Sequence, residues 1–108
     1  MKRILVLIFA FLSLSFIDAN AEHLVSPGGG KYVLVCNSKD QLEYFVRECA
    51  GKGSRVYQDD CVSCISGMVE SGTPCSVVGG GFGEKKVRVL GGIRKGLIGW
   101  VPMEMVSP

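Results

Sequence analysis

Histidine, aromatic rings and any excess of one charge are all scarce in this sequence. Its 108 residues include one histidine, His23, and one tryptophan, Trp100. A lone histidine leaves serine, cysteine and carboxylate nucleophiles without their usual activating base. No paired-carboxylate motif stands out among Asp59, Asp60, Glu70 and Glu84, and Asp59-Asp60 reads as a solvated helix cap. Acid–base and nucleophilic catalysis are therefore disfavoured. With 12 Lys and Arg against 10 Asp and Glu, net charge selects no class of partner. No internal repeat is visible. A long enough apolar run is also missing: Ile4 to Ile17, interrupted only by Ser13 and Ser15 and ended by Asp18, falls short of the ~20 residues that cross a hydrocarbon core.

That run has a different reading. Lys2 and Arg3 precede it and Ala19-Asn20-Ala21 follows with a small-x-small pattern, so residues 1–21 are expected to be a cleaved secretory signal peptide. No cysteine sits at the junction, which argues against a lipid anchor. The mature chain, from Glu22, is expected in the periplasm or outside the cell, with no membrane span after cleavage. Losing the leader takes Phe9, Phe11 and Phe16 but none of the 15 glycines, and removing Lys2, Arg3 and Asp18 leaves 10 basic against 9 acidic residues. A chain this small and lean in aromatics gains from cross-links. All five cysteines, Cys36, Cys49, Cys61, Cys64 and Cys75, lie in the mature part, and an oxidising destination favours their pairing. The count is odd, and spacing alone selects no connectivity.

Residues 22–30 (EHLVSPGGG) lack periodicity and end in three glycines, so they read as a flexible arm. Tyr32 to Cys36 is a β-rich run that predicts a strand. Asn37-Ser38 signals a helix start, and Leu42, Phe45, Val46 and Cys49 recur at i, i+3, i+4 and i+7, predicting one buried stripe on a helix over 39–50. Gly51 and Gly53 stop it. A second short helix is predicted from Asp59 or Asp60 through Cys61, Ile65, Met68 and Val69, ending at Gly72. The pattern then turns to β, with strands at Cys75 to Val78, Lys86 to Leu90 and Leu97 to Val101. The glycine-rich loop at 79–83 is followed by a strand, so it offers no helix N-terminus to cradle a phosphate.

The tail from Gly96 to Val106 resembles the close of SH3-type barrels, which end on Gly-x-x-Pro-x-x-x-Val. Gly99, Pro102 and Val106 occupy the fixed places. With Trp100 directly after the glycine, it is similar to bacterial SH3 domains of exported envelope proteins, over residues 74–107. The resemblance implies a mainly β fold with a helical insertion (α+β): a small five-stranded SH3-like barrel, disulfide-stapled, over residues 31–108, with the insertion at about 37–72. A strand should run into one 3₁₀ turn and then a last short strand. Met105 replaces the tyrosine of the proline-binding groove, and the acidic, aromatic first loop is missing, so polyproline recognition is not implied. The fold further implies a Cys36–Cys75 disulfide between the first two strands at the base of the insertion. Cys49, on the helix stripe, would then pair with Cys61 or Cys64.

Cys61-Val62-Ser63-Cys64 is a CxxC, whose chemical reading is a redox dithiol and whose plain reading is a structural disulfide. Pro74 follows Cys64 too closely for a thioredoxin-like arrangement. A single CxxC without a nearby histidine is half a zinc site at most, so no metal or cofactor is expected. Lys85, Lys86, Arg88, Arg94 and Lys95 form a basic hairpin, readable as a solvated edge or as an anion-binding patch. Together with Trp100, which sits either in the core or in a ligand groove, Lys86, Arg88, Arg94 and Lys95 are the candidate ligand contacts. The expectation is an exported, non-catalytic binding module holding a cell-wall or envelope component, or a protein partner. Nucleic acid is disfavoured. The alternatives are a structural or inhibitory protein acting through its helical insertion, and an exported thiol-redox protein.

Overall fold

The computed structural model describes residues 22–108. The expected signal peptide lies outside the described residues. Seven strands form one antiparallel sheet: β1 (Glu22–Leu24), β2 (Tyr32–Cys36), β3 (Ile65–Glu70), β4 (Thr73–Gly80), β5 (Glu84–Val89), β6 (Ile98–Pro102) and β7 (Val106–Ser107). Their order across the sheet is β3-β2-β6-β5-β4-β1-β7. Between β2 and β3 stand a helix, α1 (Lys39–Glu48), a 3₁₀ turn (Gly53–Tyr57) and one turn of helix, α2 (Asp59–Val62).

Two strands more than the expected five are present, and the sheet is open rather than a closed barrel. One unforeseen strand is β1. Residues 22–24 are not a flexible arm: they pair with β4 on one side and β7 on the other, and Leu24 is fully buried. A strand of three residues is too short to show a period of two, so its tertiary partners define it. The Leu24 carbonyl accepts from Gly72 N at 2.6 Å, and Val25 N donates to the Met105 carbonyl at 2.8 Å.

The other is β3. The segment from Ile65 does not continue the second helix, which ends at Val62. Gly67 and Val69 are buried and alternate with exposed Met68 and Glu70, the period of a half-buried strand. Gly67 is where a helix would be weakest and where a strand allows close packing: a Cβ there would stand 3.0 Å from Leu97 Cδ2. At the far end, β6 runs into a 3₁₀ turn, Met103–Met105, and then β7. The Gly99, Pro102 and Val106 phrase forms those local elements.

Side-chain alternation sends β6 into two separate cores. Val101 joins Leu24, Val33, Val35, Val87 and Val89 in a valine-rich cluster on one face of the sheet. Trp100 faces the other way and packs against the cluster of Cys36, Leu42, Phe45, Cys49, Cys61 and Cys64 beneath α1. Gly99 lets β2 and β6 close on each other. A Cβ there would meet Val35 Cγ1 and lie 2.7 Å from the Cys36 carbonyl oxygen.

Candidate binding cleft

α1 begins where Ser38, in an extended conformation, accepts a hydrogen bond at its Oγ from Gln41 N at 3.1 Å. Asp40 in the first turn and Arg47 in the last suit the helix dipole. The predicted stripe is buried at Leu42, Phe45 and Cys49, but Val46 stays 53% exposed. The helix therefore covers its sheet face incompletely. Between α1 and β2 an open cleft of about 350 Å³ remains, its walls Leu34, Leu42, Phe45 and Val56, with Met105 and Pro102 at one end and Tyr32 and Val46 at the rim. That volume is at the lower end of small-molecule and side-chain pockets.

A shallower hollow of about 250 Å³ adjoins it, sharing Leu42, Val46 and Pro102 and edged by Glu43, Arg47, Glu84 and Glu104. Lys39 Nζ pairs with Glu84 Oε1 at 3.2 Å, tying α1 to β5, and Arg47 Nε pairs with Glu48 Oε1 at 3.0 Å. Glu43 and Glu104 have no such partner among the described ion pairs, so the hollow that borders the apolar cleft is acidic on balance, three glutamates against Arg47. A third depression of about 340 Å³, between Glu70 of β3 and the Gly91–Arg94 turn, is more polar and lies away from α1.

The residues expected to contact a ligand lie on β5, β6 and the turn between them, and none of them lines the apolar cleft. Trp100 is half-buried in the core under α1 and does not line the cleft. Lys86 stands opposite Trp100 and Arg88 opposite Ile98, so both are exposed on the Trp100 face of β5 and β6. Arg94 and Lys95 belong to the following turn, and Arg94 Nε lies 3.7 Å from where a Cβ on Gly67 would be. Half-buried Lys85 points to the other face of β5. The apolar cleft went unforeseen; its one legible trace was Val46, on the edge of the helix stripe.

The cysteines meet expectation in part. Cys49 is bonded to Cys61, one of its two expected partners, with Cα atoms 5.9 Å apart, which leaves the other candidate, Cys64, unbonded. Cys36 and Cys75 are not bonded, because β2 and β4 do not pair: β6 and β5 stand between them. Cys36 lies opposite Ile65 and Trp100, whereas Cys75 lies opposite Glu22 and Val89 in the other core. Burial pushes the Cys36 and Cys75 thiols up to about 11 and raises that of Cys64 too. A redox nucleophile needs the opposite shift.

His23 is exposed on β1. Among the described residues no group of three or more His, Cys, Asp or Glu could hold a metal ion, and no helix is long and apolar enough to cross a membrane. No protein-family model matches the chain, and neither a curated protein nor a solved structure is significantly similar to it.

Proposed function

We propose that this chain is an exported, non-catalytic binding module on an SH3-like frame, and that its cleft holds a segment of a partner protein. The frame would be β1, β4, β5, β6 and β7, neighbours in the order β6-β5-β4-β1-β7, with β2, α1, α2 and β3 inserted where an SH3 domain has its long first loop. The strand, 3₁₀ turn and short strand at the C-terminus support that frame. Export is supported by the Cys49–Cys61 disulfide, a bond typical of oxidising compartments.

The observation that carries the binding reading is the open apolar cleft bordered by Glu43 and Glu104. Apolar walls take a bulky aliphatic or aromatic side chain, and an acidic border favours Lys or Arg beside it. A protein partner fits this better than an envelope polyanion does, since the walls are apolar and the neighbouring hollow carries glutamates. The insertion thus supplies the contact surface, which joins the binding reading to the alternative of an interaction protein acting through its helix.

Selection of displayed random peptides on the mature chain tests this. Enriched peptides should combine a bulky apolar residue with Lys or Arg, and Val46→Asp, at an exposed position, should weaken them about tenfold or more, ~1.4 kcal/mol. Equal binding by Val46→Asp, or loss only in Lys86→Glu/Arg88→Glu, sinks the reading. N-terminal sequencing of the exported product should begin at Glu22; retention of residues 1–21 would overturn the export assignment.

A further inference from the structure

Two of the three unbonded cysteines have been brought to one place. Cys36 ends β2 and Cys64 immediately precedes β3, its paired neighbour. Cys36 stands opposite Ile65, and Asn37 N donates to the Cys64 carbonyl at 2.9 Å, so the ladder continues past both cysteines. Antiparallel strands about 4.8 Å apart with a rise of about 3.4 Å per residue put such diagonal neighbours roughly 6 Å apart at Cα, inside the range that disulfides span. Diagonal neighbours on a regular ladder would point to opposite faces. Here Cys64 lies outside the strand, free of its alternation, and both side chains enter the same core. Cys36 is 1% exposed and Cys64 3%.

We propose that Cys36 and Cys64 form a second disulfide, leaving Cys75, alone in the valine core, as the chain's one free thiol. The oxidant is a small-molecule disulfide or the disulfide of an oxidoreductase. One cysteine thiolate attacks it, releasing one thiol and leaving a mixed disulfide. The second thiolate then attacks the protein sulfur and releases the other thiol. The two cysteines lose their protons and two electrons, and one external disulfide becomes two thiols.

In the folded thiol form, Cys64 Sγ donates to the Asp60 carbonyl at 3.3 Å, a hydrogen bond that oxidation gives up. Burial, with Cys64 close by, also holds the Cys36 thiol in its protonated form. Both facts place the reaction during folding, before α1 closes over the core. The bond would fasten β2 to the segment arriving from α2. Cys36 also lies in the floor of the apolar cleft, so the bond fixes that floor. The pairing does not depend on the binding reading.

Refolding the reduced mature chain with oxidised and reduced glutathione, then alkylating with iodoacetamide in guanidinium, provides the test. The product should be about 4 Da lighter than the reduced chain before alkylation, two hydrogens per disulfide. It should take up one label, at Cys75, and yield a cross-linked peptide pair containing Cys36 and Cys64. Cys75→Ala should take up none. Labels at Cys36 and Cys64, or a bond from either to another cysteine, overturn the proposal. Failed binding of peptides to the cleft would leave it standing.

Discussion

Asp60 is the side chain with the most concentrated local chemistry. Arg55 Nη1 and Nη2 donate to its two carboxylate oxygens at 2.6 Å each, and the Tyr44 hydroxyl donates to Oδ2. The Arg55 bonds first, and the Tyr44 bond second, hold the Asp60 carboxyl far below its usual range. The same carboxylate is the main reason the Tyr44 hydroxyl is raised. Because the folded carboxyl is the stronger acid, the unfolded chain binds more protons in acid. The stabilisation is therefore complete above the unfolded value of about 3.9 and fades as pH falls below it. Urea midpoints should drop below pH 4 in the parent, and less steeply in Asp60→Asn; parallel acid limbs would refute the assignment. The side chain is 43% exposed, so solvent screening keeps the effect modest. A second residue-scale test concerns space rather than charge. Gly99→Ala puts a methyl group against Val35 and the Cys36 carbonyl, and should cost about 1–3 kcal/mol in urea unfolding, as overpacking does. A variant as stable as the parent would mean that β2 and β6 are not so close.

Among the elements, α1 is the most local in origin. Its cap, its acidic first turn and its buried stripe are all visible in residues 38–49. Ser38→Ala removes the bond to Gln41 N and should cost about 1 kcal/mol, read as a shift in the urea midpoint at constant slope. The Cys49–Cys61 bond holds the helix end to α2. Replacing both cysteines by serine opens a loop with a sequence separation of 12 and should cost about 3 kcal/mol on the chain-entropy account. An unchanged midpoint would show that the loop is fixed by its other contacts. The β elements were less legible, for a physical reason. β2, β5 and β6 carry their own β-branched patterns and could be read in advance. β1 has three residues and one buried side chain, so only the neighbours β4 and β7 make it a strand. In β3, Ile65, Met68 and Val69 fit a helical stripe on paper, yet it is Gly67 and Val69 that enter the core. The cleft was hidden for the same reason: Val46 fits the helix stripe, and only the tertiary packing of α1 leaves it uncovered.

At the scale of the molecule, one sheet carries a valine core on one face and a cysteine-rich core under α1 on the other. Both depend on β6, which contributes Val101 to the first and Trp100 to the second. A defect made in either core should therefore be felt in both. Leu24 gives the sharpest test, because it decides whether the first described residues belong to the fold. Leu24→Ala empties a fully buried site between β4 and β7 and should cost about 2–5 kcal/mol, a large share of the 5–15 kcal/mol typical of whole domains. His23→Ala, at an exposed position on the same strand, should stay within about 0.5 kcal/mol of the parent. Trp100 fluorescence reports from the opposite core, so unfolding of Leu24→Ala followed by that signal and by far-UV circular dichroism measures the coupling. Coincident transitions at a lowered midpoint mean one cooperative unit spanning both faces. If the fluorescence midpoint stays at the parent's value while the dichroism falls, the helix-covered core stands by itself and β6 does not transmit the damage. If neither moves, residues 22–24 are an arm after all.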